Sequence, residues 1–310
     1  MKFLKKFTTF TIAQLLDDYS RYLLNTRGLQ HRTIQDYCIR VREFLRTVFK
    51  NNRVSINRIK PEYVINFILQ TAKTKSSNYA QTTTYPLRSF FRYLKQTQHT
   101  PTNLDMVVPS VANRKIQSYP EVLSRAQVEK ILRCCNRKEA KGLRDYAMIL
   151  LMCSLGLRSC EVASLNMDDI DLRRAEIIIR GKGVITRMPL LNELGTAIIN
   201  YLKHGRPHSL SNRVFITHRL PFSPITTGGI RSMFRSVLKN AGLKPAKEGT
   251  HLLRHTFAMH LLEQGATLVE IGMILRHKDI ESTAIYARAD FSTLRKITLS
   301  WPIKTRARRK

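Results

Sequence analysis

Apolar positions recur at helical spacing through the first hundred residues. Leu15, Leu16, Tyr19, Tyr22 and Leu23 form one stripe, which Gly28 closes, and Ile34, Tyr37, Cys38, Val41, Phe44, Leu45 and Val48 form a second. Stripes of this kind mark the buried face of an amphipathic helix. Pro61 stands where a first helical turn accepts a residue without an N–H, just ahead of Val64, Ile65, Phe67 and Ile68. A fourth stripe carries Leu87, Phe90, Phe91, Tyr93 and Leu94, with Arg88, Arg92 and Lys95 between them on the polar side. The pattern predicts four helices and no strand, hence a small all-helical domain over residues 1–97.

The periodicity lapses between Gln96 and Tyr119, a polar stretch with Pro101 and Pro109 that ends at Pro120. It reads as an interdomain linker, placed at residues 98–118. A second domain, 119–310, opens on Ser124 as an N-cap ahead of Val128, Ile131 and Leu132. Tyr146, Ala147, Ile149, Leu150 and Met152 continue a helix to Gly156. The run Glu176–Arg180 is the best strand, joined through Gly181, Lys182 and Gly183 to a hairpin partner over Val184–Leu190. From Ile225 onward the pattern is helical again. The fold class expected is mainly α with a small β-sheet.

Hydrophobic residues make up 43% of the 310, enough to build real cores, and no run of about 18 apolar residues suggests a membrane span. The basic start, Met1-Lys-Phe-Leu-Lys-Lys-Phe, lacks the apolar stretch of a secretory signal. Charge changes the picture most: 53 Lys and Arg against 22 Asp and Glu leave +31. The excess is spread over the chain, with 18 basic and 6 acidic residues in 1–110 and the rest in the second part. A single basic tail would not produce this, and a polyanion such as nucleic acid is the natural partner. The five cysteines, Cys38, Cys134, Cys135, Cys153 and Cys160, are odd in number and form no Cys-x-x-Cys. That argues for a reducing compartment and against a disulfide framework or a zinc knuckle.

Four short motifs stand out: Gly156-Leu-Arg158-Ser-Cys-Glu161, Gly181-Lys182-Gly183, His251-Leu-Leu-Arg254-His255, and Leu275-Arg-His277 followed by Tyr286. Taken singly they are ordinary. Arg158 and Glu161 could be an i,i+3 ion pair, Gly-Lys-Gly a hairpin turn, and Tyr286 helix packing. His251 and His255 have the spacing of two zinc ligands, but Leu252 stands where a zinc protease needs Glu and no third ligand follows. No metal is expected, and His255 reads as a hydrogen-bonded core residue.

Taken together, in this order and at these intervals, the motifs resemble the tyrosine recombinases, the phage integrase family. The resemblance covers the whole second domain and, more loosely, the helical first domain, which is similar to the family's SAM-like core-binding domain. It implies a catalytic set of Arg158, Lys182, His251, Arg254, His277 and the nucleophile Tyr286, with Glu161 in support. Arg88, Arg92 and Lys95 are the candidate DNA contacts of the first domain.

The chemistry asks for these residue types in its own right. In-line displacement at a phosphodiester adds negative charge around phosphorus, which two fixed guanidinium forks answer. The tyrosine hydroxyl must lose a proton and the departing deoxyribose oxygen must gain one. Lys182 on its glycine-flanked turn could supply the second, while His251 and His277 donate to the phosphate or handle the tyrosine proton.

By resemblance the product is a 3′-phosphotyrosyl bond and a free 5′-hydroxyl, and rejoining needs neither ATP nor another cofactor. The partners implied are double-stranded DNA clamped by both domains, a homotetramer on synapsed sites, and accessory DNA-bending proteins or a second recombinase, all in the cytoplasm at the nucleoid. Many relatives carry Gly where Arg276 precedes His277. This departure favours integration or excision of a mobile element over Xer-type resolution of chromosome or plasmid dimers. A type IB topoisomerase-like relaxing enzyme and a catalytically silent DNA-binding relative are the rivals. The terminal stripe Phe291, Leu294, Ile297 and Trp301 is expected to dock into a neighbouring subunit.

Overall fold

The computed structural model describes residues 9–100, 103–111, 120–181, 184–277 and 281–287. Lys182 and the stripe Phe291–Trp301 lie outside them. The chain divides into two compact units, Met1–Ile116 and Gln117–Lys310.

The first unit is built on four helices: α1 (Ile12–Asn25), α2 (His31–Val48), α3 (Pro61–Thr74) and α4 (Ser77–Gln96). Thr11 begins α1 with a capping box, its side chain accepting from the Gln14 N–H while Gln14 answers the Thr11 N–H. Pro61 sits at the first turn of α3, where its missing N–H costs nothing. The apolar stripes converge on an aromatic core of Tyr19, Phe44, Phe67, Phe90, Phe91 and Tyr93, all buried. Edge-to-face contacts, such as Phe44 against Phe91 with centroids 5.7 Å apart, order these rings.

Two features depart from the sequence reading. Strands β1 (Thr9–Thr11) and β2 (Arg53–Ser55) pair antiparallel, where no strand was expected. Three residues are too few to display alternation, so periodicity carries no signal for them. The second is α5 (Leu104–Val107), a single turn inside the segment that reads as linker. Leu104 and Val108 are buried in the helical core.

The second unit begins with α6 (Arg125–Arg133), capped by Ser124 in a capping box with Gln127. Helix α7 (Ala140–Leu155) runs through its middle and is buried on nearly all sides. Gly156 ends α7 in the left-handed conformation, φ 59°. The short α8 (Ser159–Ser164) follows at once. A three-stranded antiparallel sheet comes next, ordered β3 (Ile170–Asp171), β4 (Glu176–Arg180) and β5 (Ile185–Pro189). In the hairpin Ile178 faces Arg187 and Arg180 faces Ile185. Helices α9 (Asn192–His204), α10 (Thr227–Asn240), α11 (His251–Glu263), α12 (Leu268–Ile274) and α13 (Glu281–Ala287) complete it.

The main core joins α7, α9, α10 and the sheet, and a satellite cluster of Ala258, Ile271, Leu275 and Tyr286 ties α11, α12 and α13 together. Among the described residues no helix is long and apolar enough to cross a membrane.

Candidate active site

The site is assembled where the ends of α7 and α12 meet α11 and α13. Gly156 lets the chain turn sharply out of α7, so that Arg158 falls at the N-cap of α8. A Cβ at position 156 would lie 2.6 Å from Phe257 and 2.7 Å from Leu275, so only glycine fits that approach. Arg158 is bound in two ways to Glu161: its backbone N–H donates to Oε2 and its guanidinium to Oε1, both at 2.9 Å. Glu161 is buried, and the Arg158 side chain keeps 32% exposure, so the cation is held from behind while its front stays open.

Helix α11 contributes three residues at once. His251 is its first residue and is open to solvent, Arg254 lies almost one turn on and is buried, and His255 follows half-buried. The helix is pinned from outside, where Thr256 Oγ1 accepts the Leu123 N–H at 2.9 Å. Arg254 donates to the Gly156 carbonyl at 2.7 Å and to the Leu275 carbonyl. These two carbonyls belong to the ends of α7 and α12, so one guanidinium ties both ends to α11. Burial and the charges of Arg158 and Arg276 push Arg254 down to about 10, still cationic at neutral pH.

After α12 the chain turns through Arg276 in the left-handed region, φ 55°. Its guanidinium reaches back to Glu161 Oε2 at 3.0 Å and to the Ile274 carbonyl at 2.9 Å, and touches Met188 Sδ on β5. His277 follows, with Nδ1 2.7 Å from the buried hydroxyl of Thr283 on α13. Three residues later on that helix, Tyr286 is buried with its hydroxyl 2.9 Å from His255 Nδ1.

The electrostatics follow from this crowding of cations. Burial, together with Arg254, Arg158 and Arg276, drives His277 down to about 4. Burial of its inner edge and the charges of Arg254, Arg158 and Arg231 lower His251 as well. These imidazoles are therefore neutral at pH 7 and offer one donor and one acceptor each. Burial raises the Tyr286 pKa, while Arg254 and Arg158 pull it back. Arg254 is anchored on the Gly156 carbonyl, two residues before Arg158, so the chain brings two guanidinium residues together, as stabilisation of a phosphoryl-transfer transition state requires.

Of the sequence candidates, the structure brings Arg158, Glu161, His251, Arg254, His277 and Tyr286 into one neighbourhood. Lys182, between β4 and β5 in the sequence, lies outside the described residues. Three participants were not singled out: His255, which read as core, Thr283, and Arg276, noted only as a departure. The positive φ at Arg276 gives the physical reason that glycine suits this position. In the first unit Arg88 donates to the Val108 carbonyl at 3.0 Å and to Ser110, and Arg92 pairs with Asp105 at 3.3 Å. These two hold the 103–111 segment, and Lys95 is exposed. Among the described residues no group of three or more His, Cys, Asp or Glu is placed to hold a metal ion.

Comparison with known proteins points the same way over nearly the whole chain. The model of the phage integrase family matches residues 121–293, and that of the phage integrase N-terminal SAM-like domain matches 16–98. A Sinorhizobium fredii protein carrying the name integrase/recombinase is 36% identical over 94% of this chain and 71% of its own. Tyrosine recombinase XerD of Listeria monocytogenes is 31% identical over 88% of this chain and 93% of its own. Among solved structures, XerH recombinase bound to a palindromic difH substrate superposes with a TM-score of 0.70 at 19% identity, covering 92% of this chain and 83% of that one. A lambda integrase dimer bound to a core site gives 0.68 at 16% identity, covering 96% and 100%. At these identities the structures speak for the fold.

Proposed function

The chain belongs to the phage integrase family of tyrosine recombinases, and from that premise we propose that Tyr286 is the nucleophile of its site-specific DNA recombination. The Tyr286 hydroxyl attacks the scissile phosphorus in line and the deoxyribose 5′-oxygen leaves. The strand is then held as a 3′-phosphotyrosyl ester until a 5′-hydroxyl returns to rejoin it. Arg158 and Arg254 take the non-bridging oxygens, His251 and His277 add neutral donors to them, and Lys182 gives a proton to the leaving oxygen. Glu161 holds Arg158 in aim. The observation that carries this reading is geometric: the buried Tyr286 hydroxyl lies 2.9 Å from His255 on α11, the helix whose Arg254 is fixed on the Gly156 carbonyl, two residues before Arg158.

The chemistry is complete with these side chains, so no metal, ATP or other cofactor enters it. We take residues 1–97 as the helical DNA-binding module, 98–118 as linker and 119–310 as the catalytic module. Lys95 and the exposed side of Arg92 contact DNA phosphates, and Arg88 braces the segment beside them. Four subunits on two sites exchange strands in sequential pairs, in the cytoplasm at the nucleoid, with accessory DNA-bending proteins or a second recombinase where the site demands them. The biological task is integration or excision of a mobile element.

The test is a nicked trapping DNA that carries the recombination site. The wild-type protein is expected to form an adduct that survives SDS, and Tyr286→Phe to bind the same DNA without forming one. An undiminished adduct in Tyr286→Phe places the nucleophile elsewhere.

A further inference from the structure

We propose that His255 is the proton acceptor for Tyr286, taking the phenol proton on Nδ1 as the tyrosine oxygen attacks phosphorus. The proposal rests on the recombinase reading above and assigns a step that His251 and His277 could equally have served.

The geometry singles out His255. Its Nδ1 lies 2.9 Å from the Tyr286 hydroxyl, and among the described residues it is the one hydrogen-bond partner of that oxygen. The two rings meet edge to face with centroids 5.8 Å apart, so the imidazole is held by packing as well. His277 is committed on Nδ1 to Thr283. His251 stands one turn back along α11, its ring 6.4 Å from that of His255. The tyrosine has one hydrogen, and its lone pairs must face phosphorus. The hydrogen therefore points away from the phosphate, and the lone pair that meets it is that of His255.

The surroundings make this acceptor dependent on substrate. Burial first, then the neighbouring His251 imidazole and the cations Arg254 on the same helix and Lys247 ahead of it, press His255 down to about 4. Without DNA it is a neutral imidazole that holds the tyrosine hydrogen bond on Nδ1 and has little appetite for the proton, which keeps Tyr286 protonated and inert. A phosphodiester bound by Arg254 and Arg158 brings a negative charge among these cations. That charge offsets their field, raises the proton affinity of His255, and switches the acceptor on when there is something to cleave.

The step balances. The Oη–P bond forms as the P–O5′ bond breaks, the tyrosine proton goes to His255 Nδ1, and the 5′-oxygen takes a proton from Lys182. Rejoining runs in reverse: the attacking 5′-hydroxyl returns its proton to Lys182, and the tyrosine recovers its own from His255.

The experiment measures covalent adduct formation by the full chain on two DNA sites, one with natural linkages and one with sulfur in place of the scissile 5′-oxygen. Wild type, His255→Asn, His255→Ala, Lys182→Ala and Tyr286→Phe are compared, each after DNA binding is verified. Asn sets an acceptor oxygen close to the place of Nδ1 but does not hold a proton. His255→Asn is expected to lose about 10²–10⁴-fold in cleavage, the usual span of general acid–base catalysis, and to lose it equally on both DNAs. Lys182→Ala is expected to recover on the sulfur DNA, because a thiolate leaves without a proton. His255→Ala is expected to regain cleavage as imidazole is added.

His255→Asn cleaving at the wild-type rate would reduce the contact to a packing bond. His255→Ala cleaving faster than wild type would make it a lock. Failure of imidazole to restore His255→Ala would remove His255 as the acceptor. A wild-type protein that binds the site but forms no adduct on either DNA overturns the recombinase assignment itself, a different result from all of these.

Discussion

The guanidinium of Arg276 lies 3.0 Å from Glu161 Oε2, and both side chains are almost wholly shut off from solvent. The same carboxylate holds Arg158 on its other oxygen. One buried anion therefore fixes the residue that leads α8 and the residue that leads to His277. The pair also closes against β5 through Met188.

Removing that anion leaves a buried cation without a partner, which is costly. Glu161→Ala is expected to lose about 3 kcal/mol of stability at neutral pH, measured by urea denaturation. The pH dependence has a definite sense. Burial raises the Glu161 pKa, but the Arg158 N–H and the charges of Arg276 and Arg158 outweigh it, so the folded value lies below the ordinary 4.5. The stabilisation is complete above the unfolded value and is lost as pH falls through the folded one. The stability gap between wild type and Glu161→Gln should be full at pH 7 and narrow below about 4.5. A gap that widens in acid contradicts this.

At position 276 two losses can be separated. Arg276→Gly and Arg276→Ala both give up the ion pair, but only Ala must hold φ 55° with a Cβ. Gly should therefore be the milder change by roughly 1 kcal/mol. Thermal melts of the two variants decide it, and equal melting temperatures would mean that the turn relaxes.

Gly156 tolerates no side chain. Gly156→Ala must push aside Phe257 and Leu275 and also strain a left-handed residue. Because the Gly156 carbonyl anchors Arg254, the variant should lose both stability, by about 2 kcal/mol, and cleavage. DNA binding by the helical unit should persist. A stable variant with wild-type cleavage rejects the close approach.

Thr283 acts through His277, and Thr283→Val keeps its shape while removing the hydroxyl. Cleavage is expected to fall about tenfold, equivalent to about 1.4 kcal/mol of misdirected imidazole, with DNA affinity unchanged. Thr283→Ser should restore the rate. A change in affinity alone would place the residue in DNA binding instead.

Affinity for DNA should fall steeply with salt, since a net charge of +31 acts on phosphates through counterion release. Several phosphate contacts imply a loss of about 10³–10⁵ between about 50 and 200 mM salt. A flat dependence means the basic surface faces something else.

Much of this was legible in the chain, for reasons that differ by element. The amphipathic stripes of α1 to α4 and the Ser124 cap are local patterns, and local patterns survive folding. The hairpin of β4 and β5 was visible because its strands are long enough and its turn is rich in glycine. The strands β1 and β2 were not, since each is three residues long and finds its partner across the whole of α1 and α2. Arg88 and Arg92 looked like a basic helical face because nothing local shows that Val108 and Asp105 return to meet them. His255 read as core because its role depends on α13, packed against α11 from about thirty residues downstream.

In the role proposed for it, Arg254 meets the phosphate already spoken for, with each terminal nitrogen given to a carbonyl, one at the end of α7 and one at the end of α12. A fork anchored in this way does not shift to suit its guest, so the duplex must do the accommodating. Part of what the enzyme selects is then mechanical: base steps that bend or unstack at little cost bring their phosphate to the fork more often. Two sites with identical contacts but different stiffness would be cut at different rates, and the choice of target is written partly in the compliance of the DNA.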